Sequence, residues 1–260
     1  MGNRSDGLEG LRVVVTAGAG GIGLAIVSHL AERGARVFTC DISEPALAQL
    51  AQRYPQVGAV RADVSSESDV AALFDAAGRH LGGLDALVNN AGIAGPTGAV
   101  EDLDPDEWRR CLDICLTGQF LCTRLAVPLL KAAGGGAIVN MSSSAGRHGY
   151  AYRTPYSSAK FGVIGFTQSL AKELGPAGIR VNAILPGIVE GPRMEGVIRA
   201  RAEQVGVPYE RMEATYLERI SLRRMVTPHD VALSTAYLLS DAGRNISGQS
   251  LSVDGNVETL

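Results

Sequence analysis

Short runs rich in Val, Ile, Leu and Ala alternate along this chain with longer stretches whose apolar residues recur at helical spacing. Residues 12–16 are a continuous apolar run, and residues 21–33 follow with Ile22, Ile26 and Leu30 on one stripe. The pattern predicts further strands over 36–41, 57–62, 84–89, 137–141, 180–185 and 251–253. It predicts helices over 66–81, 106–132 and 156–174, and one beginning at Thr227-Pro228-His229-Asp230. Ser66-Glu67-Ser68-Asp69 resembles a capping box, and Thr227 precedes a Pro at the first helical position. Gly134-Gly135-Gly136 ends the 106–132 pattern. Near-continuous apolar strands, each followed by a helix, imply an α/β fold with a parallel sheet covered on both faces. With no repeat, low-complexity stretch or linker, residues 1–260 read as a single domain. Residues 190–225 break the rhythm: long, charged and helical, with Met194, Val197 and Ile198 placed on one side. A connection of that length reads as a substrate lid, the other reading being an appendage at a subunit contact.

A net charge of -3 gives no reason to expect nucleic acid or an anionic membrane. No apolar run looks long enough to span a bilayer. Residues 1–10 are short and polar, and the Met-Gly start has Asp6 where a myristoylation signal needs Ser or Thr. These features favour the cytoplasm. Of the four cysteines, Cys111, Cys115 and Cys122 fall on one helical face, which argues for small buried residues rather than disulfides. No histidine completes a metal pattern, so no metal is expected.

Two motifs carry chemistry. Tyr156 and Lys160 are four residues apart in a helix, on one face. A free phenol has a pKa near ~10, so holding the anion at neutral pH takes on the order of 4 kcal/mol, part of which an ammonium supplies. Such a tyrosine exchanges protons with a hydroxyl or carbonyl, although an isolated Tyr-x-x-x-Lys also fits an ordinary exposed face. Thr16-Ala17-Gly18-Ala19-Gly20-Gly21-Ile22-Gly23 lies between the first strand and the first helix, where glycines let backbone and helix N-terminus approach a pyrophosphate. Asp41 ends the second strand, placed to accept from the adenosine ribose hydroxyls and to repel a 2′-phosphate. With no Lys or Arg beside it, the expectation is NAD(H) over NADP(H); the plainer reading is that Asp41 caps the next turn.

Together these motifs resemble the short-chain dehydrogenase/reductase family over residues 8–255. Asp63-Val64, Asn89-Asn90-Ala91-Gly92, Ser142-Ser143-Ser144 and Pro186-Gly187 stand in the family's order around the glycine-rich turn and Tyr156-Lys160. The resemblance implies a doubly wound Rossmann fold binding NAD at the C-terminal ends of its strands. It implies Tyr156 as general acid/base and Ser143 as the serine bonding the reacting oxygen, with Ser142 or Ser144 as neighbours in question. Lys160 would hold the nicotinamide ribose and depress the tyrosine pKa. Gly18, Gly21, Ile22, Gly23, Asp41, Ile42, Asp63, Val64, Asn90, Ala91, Gly92, Pro186, Gly187 and Val189 would line the cofactor, with Tyr156 and Lys160.

The chain departs from the family at four places. Ala17 replaces the first glycine of the turn, tolerable if its φ is not positive. Cys115 replaces an asparagine that helps hold a water joining the lysine to solvent, largely through its main-chain carbonyl; the cysteine reads as a packing residue or as a redox-sensitive thiol. The usual threonine is missing from Val189-Glu190-Gly191-Pro192. Asn256 follows Asp254-Gly255 where glycine is common.

Substrate identity lies in variable loops. Residues 147–154 carry Arg147, His148, Tyr150, Tyr152 and Arg153; the lid carries Arg193, Arg199 and Arg201. Ser143, Arg147, Tyr150, Arg153, Tyr156 and Arg193 are the candidate substrate residues. Cations here suit an anionic secondary alcohol, such as a hydroxy acid or sugar derivative, though solvated arginines would look the same. The expected activity is NAD-dependent hydride transfer between alcohol and ketone. Reduction of a 3-oxoacyl thioester is an alternative, and a non-catalytic NAD sensor is a different class. Apolar residues on more than one face of 106–132 and 156–174 point to a dimer or tetramer.

Overall fold

The computed structural model describes residues 7–257, excluding the side chains of Arg193, Ala200 and Gln204. Seven parallel strands form one sheet in the order β3-β2-β1-β4-β5-β6-β7. They are β1 (Arg12–Thr16), β2 (Arg36–Asp41), β3 (Gly58–Arg61), β4 (Ala86–Asn89), β5 (Gly136–Met141), β6 (Ile179–Pro186) and β7 (Ser250–Val253). The order reverses between β1 and β4, and that crevice at the strands' C-terminal ends is where doubly wound sheets bind ligands. The central strands bury both faces: Val13, Val14 and Val15 of β1 and Ala86, Leu87 and Val88 of β4 are fully enclosed. Each such Val or Leu contributes roughly 1.5–3 kcal/mol by leaving water, which is why the pattern is continuous rather than alternating.

Helices α1 (Gly21–Glu32), α2 (Glu44–Arg53) and α9 (Pro228–Leu239) pack with one core. Helix α3 (Glu67–Leu81) belongs to the other, with the helical stretch 105–132 and α6 (Thr154–Leu174). Helix α2 was not legible in the periodicity; Ser43 caps it by accepting from the Ala46 amide, and Pro45 sits in its first turn. Thr227 caps α9, as the sequence predicts, and Asp230 completes a reciprocal capping box with it.

The stretch 105–132 is not one regular helix. It comprises α4 (Pro105–Leu112), a π-helical turn (Asp113–Thr117) and α5 (Gly118–Ala132). By length and composition alone it could cross a membrane, contrary to the sequence expectation. Its buried residues Cys111, Cys115, Leu121, Cys122, Ala126 and Leu130 instead pack against the sheet side and α6.

The segment 190–225 holds α7 (Pro192–Val205) and α8 (Tyr209–Glu218). Ile198, Ala202 and Met212 join them, with Met194 packed alongside. Val197 is a correction: it points outward, 43% exposed, rather than sharing that face. Single bridges from Val189 to Val226 and from Ile220 to Val257 tie the segment's base to the sheet side. Asn256 has φ +59, the left-handed region in which Asn is tolerated, and its amide bonds the Ser221 hydroxyl. A backbone requirement therefore accounts for the residue to which the sequence assigned no function.

Candidate active site

Every motif singled out in the sequence emerges at the C-terminal edge of the sheet, following β1, β2, β3, β4, β5 or β6. Parallel strands deliver their ends to one side, so residues far apart in sequence converge without any long loop.

The glycine-rich turn joins β1 to α1. Gly20 is the N-cap of α1 and no side chain bonds the first-turn amides, which leaves them to an anion. A side chain on Gly23 would run into the carbonyl of Ala17, and one on Gly18 into the Thr39 hydroxyl. These glycines serve close approach of turn, helix and strand. Ala17 corrects the sequence condition: its φ is +53. A left-handed non-glycine residue costs roughly 1–2 kcal/mol. Asn90 holds the strained turn, its amide donating to the carbonyls of Thr16 and Ala17 at 3.0 and 3.1 Å. The Thr16 hydroxyl in turn accepts from the amides of Asn90 and Ala91. Asn90 thus braces the glycine-rich turn, and Thr16 belongs to the same bonded cluster although periodicity could not single it out.

Asp41 points its carboxylate into the same region. One oxygen accepts from the Ala19 amide at 3.2 Å and the other from the Ser43 amide at 3.0 Å. The turn-capping and ribose readings are therefore compatible, since each carboxylate oxygen retains a lone pair. Ile42 beside it is exposed. Asp63 accepts from the amide and hydroxyl of Ser65, and Val64 is buried against Gly118 of α5. Gly92 lies beside the Lys160 ammonium, where a Cβ would come within 3.4 Å of it. Gly187 donates to the Val253 carbonyl and packs on Asp254, while Val189 bridges to Val226. The free amides, glycine cradle and acidic strand end fit a dinucleotide.

Lys160 is 3% exposed, and its ammonium donates to the Met141 carbonyl at 2.9 Å. The same nitrogen lies 5.6 Å from the Tyr156 ring centroid, so the pair does share one helix face. Ser143 is the half-free serine. Its hydroxyl oxygen accepts from the Ala145 amide, whereas Ser142 donates to the Lys160 carbonyl and Ser144 bonds the Tyr150 hydroxyl at 2.8 Å. That sorts the three serines: Ser142 and Ser144 are occupied by the scaffold. Burial pushes the Tyr150 phenol above its ordinary range.

Cys115 takes the asparagine position in the π turn. Its thiol accepts from the Ile93 amide and donates to the Ile93 carbonyl, both at 3.4 Å. Cys111 and Cys122 are fully buried, their thiols pushed up by desolvation and, for Cys111, first by a hydrogen bond with Cys115. Burial likewise pushes the Cys40 thiol up to about 11. These are packing residues rather than thiolates. The carbonyl of Cys115 accepts from the Gln119 side-chain amide, which also donates to the Met141 carbonyl, at 3.2 and 3.1 Å. Gln119 was missed from sequence, because only the π turn places its side chain there.

The candidate substrate residues separate. Arg153 lies over the Tyr156 ring, 5.0 Å from its centroid, and donates to the Ala94 carbonyl at 2.8 Å. Arg147 is exposed and reaches towards the Ser250 carbonyl. Arg199 packs on Tyr209 within the α7–α8 pair. The side chain of Arg193 lies outside the described residues.

A profile of the family described as enoyl-(acyl carrier protein) reductase matches residues 16–257. The chain is 42% identical to cis-4-hydroxycyclohexanecarboxylate dehydrogenase of Sinomonas cyclohexanicum, covering 93% of this chain and 94% of that one. It is 35% identical to D-beta-hydroxybutyrate dehydrogenase of Cupriavidus necator, over 95% of this chain and 98% of the relative. Among solved structures it is similar to NAD+-bound xylitol dehydrogenase, with TM-score 0.89 and 31% identity, covering 95% of this chain and 99% of that one.

Proposed function

Starting from the fact that the chain belongs to the short-chain dehydrogenase/reductase family and acts on CH–OH groups, we propose that it oxidises a carboxylate-bearing secondary alcohol with NAD. The observation that carries this reading is the buried Lys160, held by Met141 on the face it shares with Tyr156, at the crevice of the sheet.

NAD, when bound, supplies the hydride acceptor. Tyr156 takes the proton from the substrate hydroxyl as the hydride leaves carbon. Ser143 has a hydroxyl proton that no described residue accepts, and donates it to the substrate oxygen. Lys160 has one of its three N–H groups on Met141, leaving two for the cofactor ribose and the tyrosine side. Asp41 accepts from the adenosine ribose and disfavours a 2′-phosphate. The named hydroxy-acid dehydrogenases among the relatives support the carboxylate.

Reduction of a 3-oxoacyl thioester is the weaker reading, because it usually takes NADPH, against which Asp41 stands. Phe120 and Phe161 are 46% and 47% exposed on α5 and α6, which supports a homo-oligomer pairing through these helices. The deciding experiment follows absorbance of reduced nicotinamide with secondary alcohols and NAD or NADP. Turnover with NAD that Tyr156→Phe lowers 10²–10⁴-fold, while NAD binding persists, supports the reading. A preference for NADP, or wild-type activity in Tyr156→Phe, overturns it.

A further inference from the structure

Sequence alone left several arginines as equal candidates around the reacting tyrosine, and their hydrogen bonds separate them. Arg12, at the opposite end of β1, spends Nε and Nη2 on Asp85. Arg180 donates to the carbonyls of Leu238 and Gly243. Arg147 and Arg199 are turned to Ser250 and Tyr209. Arg153 differs from all of these. It is partly buried beside Tyr156, yet only Nη2 finds an acceptor, the Ala94 carbonyl. Its Nε is enclosed without an acceptor, and no carboxylate among the described residues forms an ion pair with it.

A guanidinium removed from water without a counter-charge is costly, so such groups are normally paired. This one is also held in place. The Gly98 amide donates to the carbonyl of Tyr152, whose φ is +63, so the loop after β4 and the loop before α6 are laced together on either side of it. Nη1 has no partner among the described residues and is not among the enclosed atoms. A fixed cation with an open N–H, lying over the ring whose hydroxyl meets the substrate, is an anion receptor waiting for its ligand.

We propose that Arg153 is the carboxylate-binding residue of the substrate subsite, docking the acid group while Tyr156 and Ser143 take the carbinol oxygen. This rests on the alcohol-oxidising reading of the same site and adds the group that selects the substrate. Only binding is involved, and no bond is made or broken at Arg153.

The test compares acids with their neutral counterparts. Initial rates at saturating NAD are measured for cis- and trans-4-hydroxycyclohexanecarboxylate and 3-hydroxybutyrate, and for their methyl esters. In the wild type the acids are preferred, and in Arg153→Met the acid-to-ester ratio of kcat/KM falls about 10- to 100-fold, mainly through the KM of the acid. Arg153→Lys recovers part of that ratio. If Arg153→Met lowers acids and esters by the same factor, the arginine is only a brace between loops and the proposal is overturned. A wild type indifferent to the charge overturns it too, while leaving hydride transfer intact. Calorimetric binding of cyclohexanecarboxylate to the NAD complex reads the subsite without turnover. Binding lost in Arg153→Met upholds the subsite even if every alcohol probe fails, and binding equal to the wild type removes it.

Discussion

Gln119 and Lys160 donate to one acceptor, the carbonyl of Met141 at the end of β5, at 3.1 and 2.9 Å. Both lone pairs of that oxygen are therefore used, and the ammonium is fixed in direction as well as in distance. Gln119 is a positioning residue acting through Lys160. Gln119→Leu leaves the Cys115 carbonyl without its donor and frees Lys160 to tilt. Expected are a loss of roughly 1–3 kcal/mol in stability and a fall in kcat of about tenfold, corresponding to ~1.4 kcal/mol. Gln119→Glu retains a donor only while its carboxyl is protonated, so its kcat should recover as pH falls. A kcat–pH profile parallel to the wild type would sink this role.

Ala17 is held at φ +53 by the Asn90 amide. Ala17→Gly removes a strain of roughly 1–2 kcal/mol but gains unfolded-state entropy worth roughly 0.4–1 kcal/mol. The net expectation is stabilisation by about 0.5–1 kcal/mol, which for a chain of this size is a rise in Tm of about 1–4 °C. Calorimetry showing a lower Tm would mean the turn relaxes around alanine without strain.

Asp41 accepts from Ala19 and Ser43 through separate oxygens. Asp41→Ser keeps a short polar group and removes the negative charge, which on the proposed reading disfavours a 2′-phosphate. The ratio of kcat/KM for NADP to that for NAD should rise at least tenfold. An unchanged ratio would leave Asp41 as a turn residue alone.

Acid should unfold the protein partly through Asp85 and Asp230. The Arg12 guanidinium holds the Asp85 carboxyl below its usual range, and the Thr227 amide and hydroxyl do so for Asp230. Both are depressed on folding, so their contribution is present above the unfolded carboxylate pKa of about 4. It is lost as pH falls through the lower folded values, where the folded state binds fewer protons. In urea titrations between about pH 5 and 2, Asp85→Asn should start less stable and lose less. An equally steep decline would clear the Arg12 pair of this role.

The sheet and most helices were legible because continuous apolar strands and i, i+4 stripes are direct imprints of double-sided burial. The positions of Ser143, Tyr156 and Lys160 followed from motif spacing, and parallel strands did the rest. What was hidden is conformational. Neither the left-handed backbone at Ala17 nor the π turn before Gln119 leaves a trace in residue type, and α2 is too short and polar to announce itself. Val197 misled because residues three and four apart share a face only approximately. Which arginine lacks a counter-ion depends on contacts between loops remote in sequence.

The π turn at Asp113–Thr117 acts as a one-residue insertion, offsetting the rotational phase of α5 from that of α4 by about 100°. Cys111 can thereby face α6 while Gln119 addresses the end of β5. A single deletion within this turn would restore an unbroken α-helix and keep the following side chains in phase, whereas straightening the turn at full length would swing each of them round the axis. Phase here is set by residue count together with the turn: the same number of residues wound without it would point Gln119 away from the Met141 carbonyl that it shares with the lysine.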